Sequence, residues 1–450
     1  LSRTSIMKYL FKELPVRDLP GCSSGIVTGE WTKDGELLVC RNQDYPIVGP
    51  WEPNTTVLFH EPTEHDQIPH VAITSAGLHT AGLTSMNAEG LTLAAHAHFG
   101  RQVSLRGTPI FVIGNEVISR AKSLKEAIDI ASSFKRHANW TLVVSSAKEK
   151  NAVAIEMTPK QTKARFMKDG VLTHTNFFHD NELSKNEALI SGGRHDDDWA
   201  RICRLRQNFQ QYKGEIAPEH LTKTLGDHYD PWAKEEKVFG NTISVMSTVK
   251  SVVFSPVNQK FWISTRKETP MGLGDFLEVN AGNFWEQESQ PKQYLAGYKP
   301  KNPHLIRDIR NYRKAYISWH MKNNDPNYME NTFNLLEEAC KEKPEDGNIY
   351  VQTGYLAFKL EKFEIAKKYF EDSLEKNLTK IVRSSRDLFL ARCYDLTNDR
   401  QKAIELYQKS SDFFVPALRK AHGKGLKKPY NKKLVDQVML DLQFVDPIIY

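Results

Sequence analysis

The hydrophobic pattern of this chain changes period once, near Pro303, and no single secondary-structure repeat can serve both sides of that change. Before it, short β-branched runs (Leu37 to Val39, Leu142 to Val144, Val252 to Phe254, Phe261 to Ile263) alternate with turn signals and read as strands. Helical candidates lie between them at Pro109 to Phe134, with a Ser-Leu-Lys-Glu start at Ser123, and at Trp199 to Tyr212. Residues 271–303 carry Pro291, Pro300 and Pro303 without clear periodicity and read as a linker or strap. After Pro303 the pattern is helical and repetitive. Gly354, Ala357, Ala366 and Phe370 recur 37 positions later as Ala391, Tyr394, Ala403 and Tyr407, with Ala339 and Pro344 marking a degenerate earlier copy. Small residues at such offsets let paired antiparallel helices approach closely.

A chain of 450 residues exceeds what one hydrophobic core usually organises, so two or more domains are expected. No run of 18 uncharged apolar residues occurs, which argues against a membrane-spanning helix. The net charge of +6 is mild, and its excess gathers between Arg419 and Lys433, a basic segment that reads as a solvated tail. Phosphate loops, dinucleotide fingerprints and arginine-rich motifs are lacking, so neither a nucleotide cofactor nor a nucleic-acid partner is expected. Five dispersed cysteines (Cys22, Cys40, Cys203, Cys340, Cys393) suggest neither a disulfide scaffold nor a zinc ribbon. His96 and His98, with His60, His65 and His70, have no carboxylate at ligand spacing, and no metal is expected. His195-Asp196-Asp197-Asp198 reads as a solvated loop. Leu19 to Ser23 superficially matches a lipidation box, but Lys12, Glu13, Arg17 and Asp18 occupy the stretch that would have to be apolar. The compartment stays open: cytoplasmic, or periplasmic or secreted if an upstream signal has been removed.

The stretch richest in chemistry begins at Gly21-Cys22-Ser23-Ser24-Gly25 and continues through Asp34-Gly35 to Arg41-Asn42-Gln43-Asp44-Tyr45. Asp34-Gly35 between two apolar runs predicts a hairpin. Symmetric pairing about that turn sets Asp44 opposite Gly25, roughly 10 Å along the strand from Cys22. Arg41 near the thiol favours the thiolate, and Asp44 can orient that guanidinium or the nitrogen of Cys22.

This segment resembles the start of the N-terminal-nucleophile acylases, including penicillin acyltransferase, choloylglycine hydrolase and acid ceramidase relatives, whose mature chains open with Cys and continue into Arg-Asn-x-Asp. Matches run on in order: Asn87-Ala88-Glu89-Gly90-Leu91; Ala154 to Pro159 leading to His174-Thr175-Asn176-Phe177-Phe178; Ser191 to Arg194; Gly226 to Pro231; and Phe239 through Thr248 to Phe254 and Trp262. They cover roughly residues 20–270, and the late helical repeat resembles tetratricopeptide repeats. The resemblance implies an α+β fold, a four-layer αββα sandwich followed by an all-α tetratricopeptide-like domain. It implies a propeptide remnant or linker over 1–21, a catalytic domain over 22–270, a linker or strap over 271–303, repeats over 304–417 and a basic segment over 418–450.

By the same resemblance, Cys22 is the nucleophile, Arg41 and Asp44 support it, Asn176 and Asn87 line an oxyanion hole, and Tyr45, Thr175 and Asn241 meet the substrate. Asn241 stands where many relatives have a second Arg, and it supplies hydrogen bonds without charge. Cleavage of Gly21–Cys22 would free the α-amine of Cys22. A free α-amine titrates near ~7.7–8.0 and a free thiol near ~8.5, which suits the two for proton exchange at neutral pH. The implied activity is that of a cysteine amidase or acyltransferase, autoproteolytically matured, acting on the C–N bond of an N-acylated small molecule or lipid through a thioester. In the transferase version an acyl donor and an acceptor amine would be the two substrates, and the repeats imply a peptide partner or a second copy of the chain. The alternative is a relative that no longer catalyses and serves as a binding module.

Overall fold

The computed structural model describes residues 21–45, 49, 51–188, 192–282, 292–320, 325–410, 415–431, 438–440 and 447–449. Residues 1–20 of the expected propeptide (1–21), Ser191 and much of the basic segment beyond 431 lie outside the described residues. The chain divides into two compact units. The first comprises the described residues up to Ala188, Arg201–Asp227 and Ile243–Lys299. The second comprises the described parts of Leu189–Ala200, His228–Thr242 and Pro300–Tyr450. The division is not a single cut in sequence.

The first unit is built on two seven-stranded antiparallel sheets. Sheet one takes β1 (Gly21–Val27), β2 (Leu38–Asp44), β10 (Val171–His174), β13 (Thr248–Ser255), β14 (Lys260–Ser264), β15 (Phe276–Asn280) and β16 (Tyr294–Leu295), in the order β10-β1-β2-β13-β14-β15-β16. Sheet two is a meander of β3 (Thr55–His60), β4 (His70–Ser75), β5 (Thr84–Asn87), β6 (Leu91–Ala97), β7 (Trp140–Ser146), β8 (Asn151–Met157) and β9 (Thr162–Phe166); β11 (Tyr229–Asp230) and β12 (Glu235–Glu236) form a two-stranded ribbon within the second unit.

Period-two alternation gives each strand two faces, and here both are apolar because both are covered. Ile26, Val39, Val252 and Phe254 of sheet one meet Val71, Ile73, Ala94 and Val143 of sheet two in a shared inner core. The outer face of sheet two (Leu93, Leu142, Val144, Ile155) is capped by Ile113, Val117, Leu124 and Ala127 from α1 (Ile110–Arg120) and α2 (Leu124–Ser133). That of sheet one (Val27, Leu38, Cys40, Val253) packs on Leu205 and Phe209 of α4 (Gly192–Gln211) and Leu221 and Leu225 of α5 (Pro218–Leu225); the short α3 (Asn181–Ser184) precedes them. The layers are therefore helix, sheet, sheet, helix.

Three local expectations are corrected. Pro109 to Phe134 is two helices: the chain is extended at Ala121, and Ser123 opens the second by accepting the Glu126 N–H, as its capping sequence requires. Residues 271–303 include strands β15 and β16, where a strap was expected, because β14 offers a free edge that Phe276–Asn280 satisfies. The hairpin does not turn symmetrically on Asp34-Gly35. A 3-10 turn at Gly29–Trp31 and a bridge from Thr32 to Ile216 lengthen the connection, so Cys22 pairs with Gln43 and Gly21 with Asp44. Asp44 thereby sits four residues closer to the start of β1 than symmetric pairing allows, beside the thiol.

The second unit is mainly helical: α6 (Leu305–His320), α7 (Tyr328–Lys341), α8 (Gly347–Lys359), α9 (Phe363–Asp372), α10 (Lys380–Leu396), α11 (Arg400–Lys409) and α12 (Pro416–Lys427), packed as successive pairs. Gly354 admits the Phe370 ring to 2.8 Å from where a Cβ would stand, the small-against-aromatic contact that the repeat spacing singles out. The segment His228–Thr242 is tied to these helices: Asp346 accepts the Val238 N–H at 2.7 Å and lies 3.4 Å from the fully buried Lys237 ammonium. Among the described residues no helix is long and apolar enough to cross a membrane.

Candidate active site

Cys22 occupies the second position of β1, and the pleat sends its side chain to the inner face shared with Ser24 and Ile26. Its Sγ lies 3.5 Å from the Ala95 carbonyl of β6. It also forms part of the wall of a cavity of about 400 Å³. The cavity opens among Tyr45, Trp51, Ile73, Leu83, Phe111 and Trp140, so its body is apolar, while Arg41, Asp44 and Lys250 supply the charge.

The nitrogen of Cys22 is held as firmly as the sulfur. It donates to Asn176 Oδ1 at 2.8 Å, while Asn176 Nδ2 donates to the Ala97 carbonyl at 2.9 Å. An N–H can only donate and a carbonyl only accept, so these two partners fix which way the amide points. Its oxygen faces the Cys22 nitrogen, and one of its two N–H bonds remains for a further acceptor.

Arg201, on α4 and 1% exposed, completes this shell. Its guanidinium donates to the Cys22 carbonyl at 2.7 Å and to Ser23 Oγ at 3.0 Å, approaches Asn176 Oδ1 at 3.4 Å, and stands 4.0 Å from Asp44. Thr248 Oγ1 donates to the other Asp44 oxygen at 2.7 Å. Asp44 is therefore a buried carboxylate answered by Arg201, and Arg41 is spent elsewhere. Arg41 donates to the Ala95 carbonyl at 2.6 Å and reaches His96 Nε2 at 3.1 Å, with Thr84 at 3.4 Å. Because a guanidinium only donates, His96 Nε2 is the acceptor and its proton resides on Nδ1.

From sequence, Arg41 favours the thiolate and Asp44 orients that guanidinium or the Cys22 nitrogen; in the structure burial outweighs Arg41. Burial is the largest influence and raises the Cys22 pKa; the Arg41 charge pulls it down, the Asp44 carboxylate pushes it up, and hydrogen bonds from Arg41 and the Asp44 backbone favour the thiolate. The resting group is the neutral thiol. A base is needed to take its proton.

Of the residues expected from sequence, Cys22, Arg41, Asp44 and Tyr45 gather on the cavity wall, and Asn176 stands behind the Cys22 nitrogen. Asn87 is a correction. Its Nδ2 donates to the Ile118 and Ala121 carbonyls at 2.9 and 3.0 Å, and its Oδ1 accepts from Glu89 and Leu91 at 3.1 and 2.9 Å. Both donors and both lone pairs are used in fastening the β5–β6 turn to α1, so none remains for an oxyanion. Thr175 is fully buried and is not part of the cavity wall. Asn241 belongs to the second unit, where it lines a crevice with Asp196, Asp230 and Asn348. Arg201, Trp51 and Lys250 escaped the sequence reading. Arg201 had a signal, a charge in register with Leu205 and Phe209 on the apolar stripe of a helix.

Two stacked antiparallel sheets between helical layers, with a cysteine at the head of the first strand, define the N-terminal-nucleophile hydrolase class. Within it the chain belongs to the acyl-coenzyme A:6-aminopenicillanic acid acyltransferase family, whose model matches residues 31–269, more than half of the chain. Membership places it among amide hydrolases and acyltransferases. The matched span begins at Trp31 and so does not include Cys22 itself. Among solved structures, the N-acylethanolamine-hydrolyzing acid amidase orthologue of Caenorhabditis elegans aligns with a TM-score of 0.37 at 15% identity, covering 52% of this chain and 93% of that one. A mutant conjugated bile acid hydrolase from Clostridium perfringens aligns with a TM-score of 0.38 at 11% identity, covering 62% and 97%. No curated protein matches the chain.

Proposed function

We propose that the protein is a cysteine amidase or acyltransferase that matures by cutting its own Gly21–Cys22 bond and acts on an N-acylated small molecule or lipid. The observation that carries this reading is the placement of Cys22: its sulfur meets a largely apolar cavity and its nitrogen is gripped by Asn176.

Maturation begins when the thiol attacks the Gly21 carbonyl; the C–N bond breaks as the C–S bond forms, and the proton passes to the departing Cys22 nitrogen. Water then cleaves the thioester, leaving a carboxylate on Gly21 and a free α-amine. In turnover that amine takes the thiol proton and the sulfur attacks the substrate carbonyl. The remaining Asn176 N–H faces the oxyanion, and the proton follows the leaving amine. Water or an acceptor amine releases the acyl group from sulfur. No cofactor or metal enters this scheme. Arg201 and Asp44 act as positioning residues, Arg201 by holding the Cys22 carbonyl and Asp44 by answering its charge. The helical unit serves as a docking surface for a peptide segment or a second copy of the chain.

Intact-mass spectrometry of the full chain, with a thiol-reactive acyl probe, tests the reading. A new terminus at Cys22 and probe labelling there are expected. An intact Gly21–Cys22 bond with an inert thiol would overturn it in favour of a non-catalytic binding module.

A further inference from the structure

Lys250 is 2% exposed on the wall of an otherwise largely apolar cavity, which is a costly place for an ammonium unless something answers it. It donates to the Trp51 carbonyl at 2.8 Å, and among the described residues it forms no ion pair. The buried Glu52 carboxylate lends it a favourable field, but both Glu52 oxygens accept the Gly49 N–H, at 3.0 and 2.9 Å. Beside it, the Trp51 indole N–H is buried with no hydrogen-bond partner among the described residues. Among the described residues, two N–H bonds of the Lys250 ammonium and the Trp51 indole N–H thus remain for a ligand. The other charged groups of the cavity already have their hydrogen bonds taken up: Asp44 stands against Arg201 and Thr248, and the Arg41 N–H groups go to the neutral acceptors Ala95, His96 and Thr84.

The sheet fixes where these donors lie. Cys22, Gln43 and Lys250 form one cross-strand row over β1, β2 and β13. Two strand spacings, about 10 Å, separate the backbones of Cys22 and Lys250. A bulge between Thr248 and Lys250 in β13 turns both Val249 and Lys250 into the cavity.

We infer that Lys250, with the Trp51 indole N–H, forms a carboxylate-binding subsite, so that the preferred substrate is an amide carrying an acidic group in its body, away from the scissile carbonyl. The inference rests on the proposed thiol chemistry and adds the substrate's charge to it. The Lys250 pKa, lowered by burial to about 8, agrees with an ammonium short of a counter-ion, since a bound carboxylate would restore what burial removes.

The test compares kcat/KM for two matched pairs on the full-length matured protein. One pair is the p-nitroanilides of adipic and hexanoic acid, with the carboxylate on the acyl side; the other is N-hexanoyl-γ-aminobutyrate and N-hexanoylbutylamine, with it on the amine side. For at least one pair the carboxylated member should be preferred about tenfold or more. Lys250→Met and Lys250→Gln should abolish that ratio, and Lys250→Arg should retain most of it. Absence of any preference, or a preference that survives Lys250→Met, overturns the inference while leaving the amidase reading standing. Calorimetric titration of the adipic acid anilide into Cys22→Ala protein separates the two. Binding that weakens about tenfold on adding Lys250→Met supports the subsite even if no amide is cleaved, and binding indifferent to Lys250 overturns it.

Discussion

Acidification should unfold the sandwich unit, because its inner layer holds histidines that the fold keeps neutral. His96 and His174 are both fully buried, with ring centroids 4.9 Å apart, and His179 lies 5.4 Å from His174. Burial is the main cause of depression for all three; the Arg41 charge adds to it at His96, the neighbouring His96 at His174, and the Arg165 charge at His179, whose pKa falls to about 3. A histidine whose folded pKa lies below its unfolded value of about 6.5 contributes nothing adverse above that pH, and destabilises the fold as pH drops beneath it. One unit below, at pH 5.5, each costs about 1.4 kcal/mol, or about 4 kcal/mol for the three. That is a large share of the 5–15 kcal/mol (roughly) available to a domain. Urea melts followed by tryptophan fluorescence should show the midpoint falling steeply between pH 7.5 and 5.5 at constant slope. His174→Phe should remove its own share, about 1.4 kcal/mol, of the loss at pH 5.5. A midpoint independent of pH across that interval would refute the argument, since neutral buried histidines cannot avoid the proton uptake of the unfolded chain.

Cys22→Ala should abolish turnover and self-cleavage while leaving the urea midpoint close to wild type, because only one sulfur atom of packing is lost; activity above about a tenth of wild type would place the chemistry elsewhere. Asn176→Ala should lower kcat about 100-fold with a smaller change in KM, through loss of an oxyanion donor and of the grip on the Cys22 nitrogen; a change in KM alone would contradict that role. Asn87→Ala should cost about 2–3 kcal/mol of stability, since it strands two carbonyls and two N–H groups, yet spare kcat of the folded fraction; a fall in kcat of about 100-fold would restore Asn87 to the oxyanion hole. Asp346→Ala leaves the buried Lys237 ammonium with only the partly exposed Glu235 carboxylate and the Val238 N–H without its acceptor, and should cost about 2–4 kcal/mol in the helical unit, read by thermal denaturation; a loss below about 1 kcal/mol would show that Glu235 alone suffices.

What the sequence disclosed, and what it withheld, follows the range of the interactions concerned. The helices after Pro303 and the strand runs of the sandwich are set by local periodicity, and Ser123 announces its helix by its own side chain. The thiol's partners in Arg41 and Asp44 were readable because β1 and β2 are neighbours in sequence as well as in space, although the register was not, since it depends on how Gly29–Trp31 folds the connection. Strand β15 is a strand only because β14 has an edge to offer, which no window of Phe276–Asn280 contains. Asn87 shows the opposite hazard: its motif was visible, but hydrogen bonds to Ile118 and Ala121, 31 and 34 residues on, decide that it fastens a turn. Arg201 reaches Cys22 across 179 positions, and Lys250 reaches the same cavity through a bulge that has no fixed sequence signature. In sequence each is one more basic residue in a chain with 61 of them. Burial is what distinguishes them. A buried charge must be paired, as Arg201 is by Asp44, or held ready for a ligand, as we infer for Lys250, so the cationic residues that matter to this site are those removed from water on the cavity side of the sandwich.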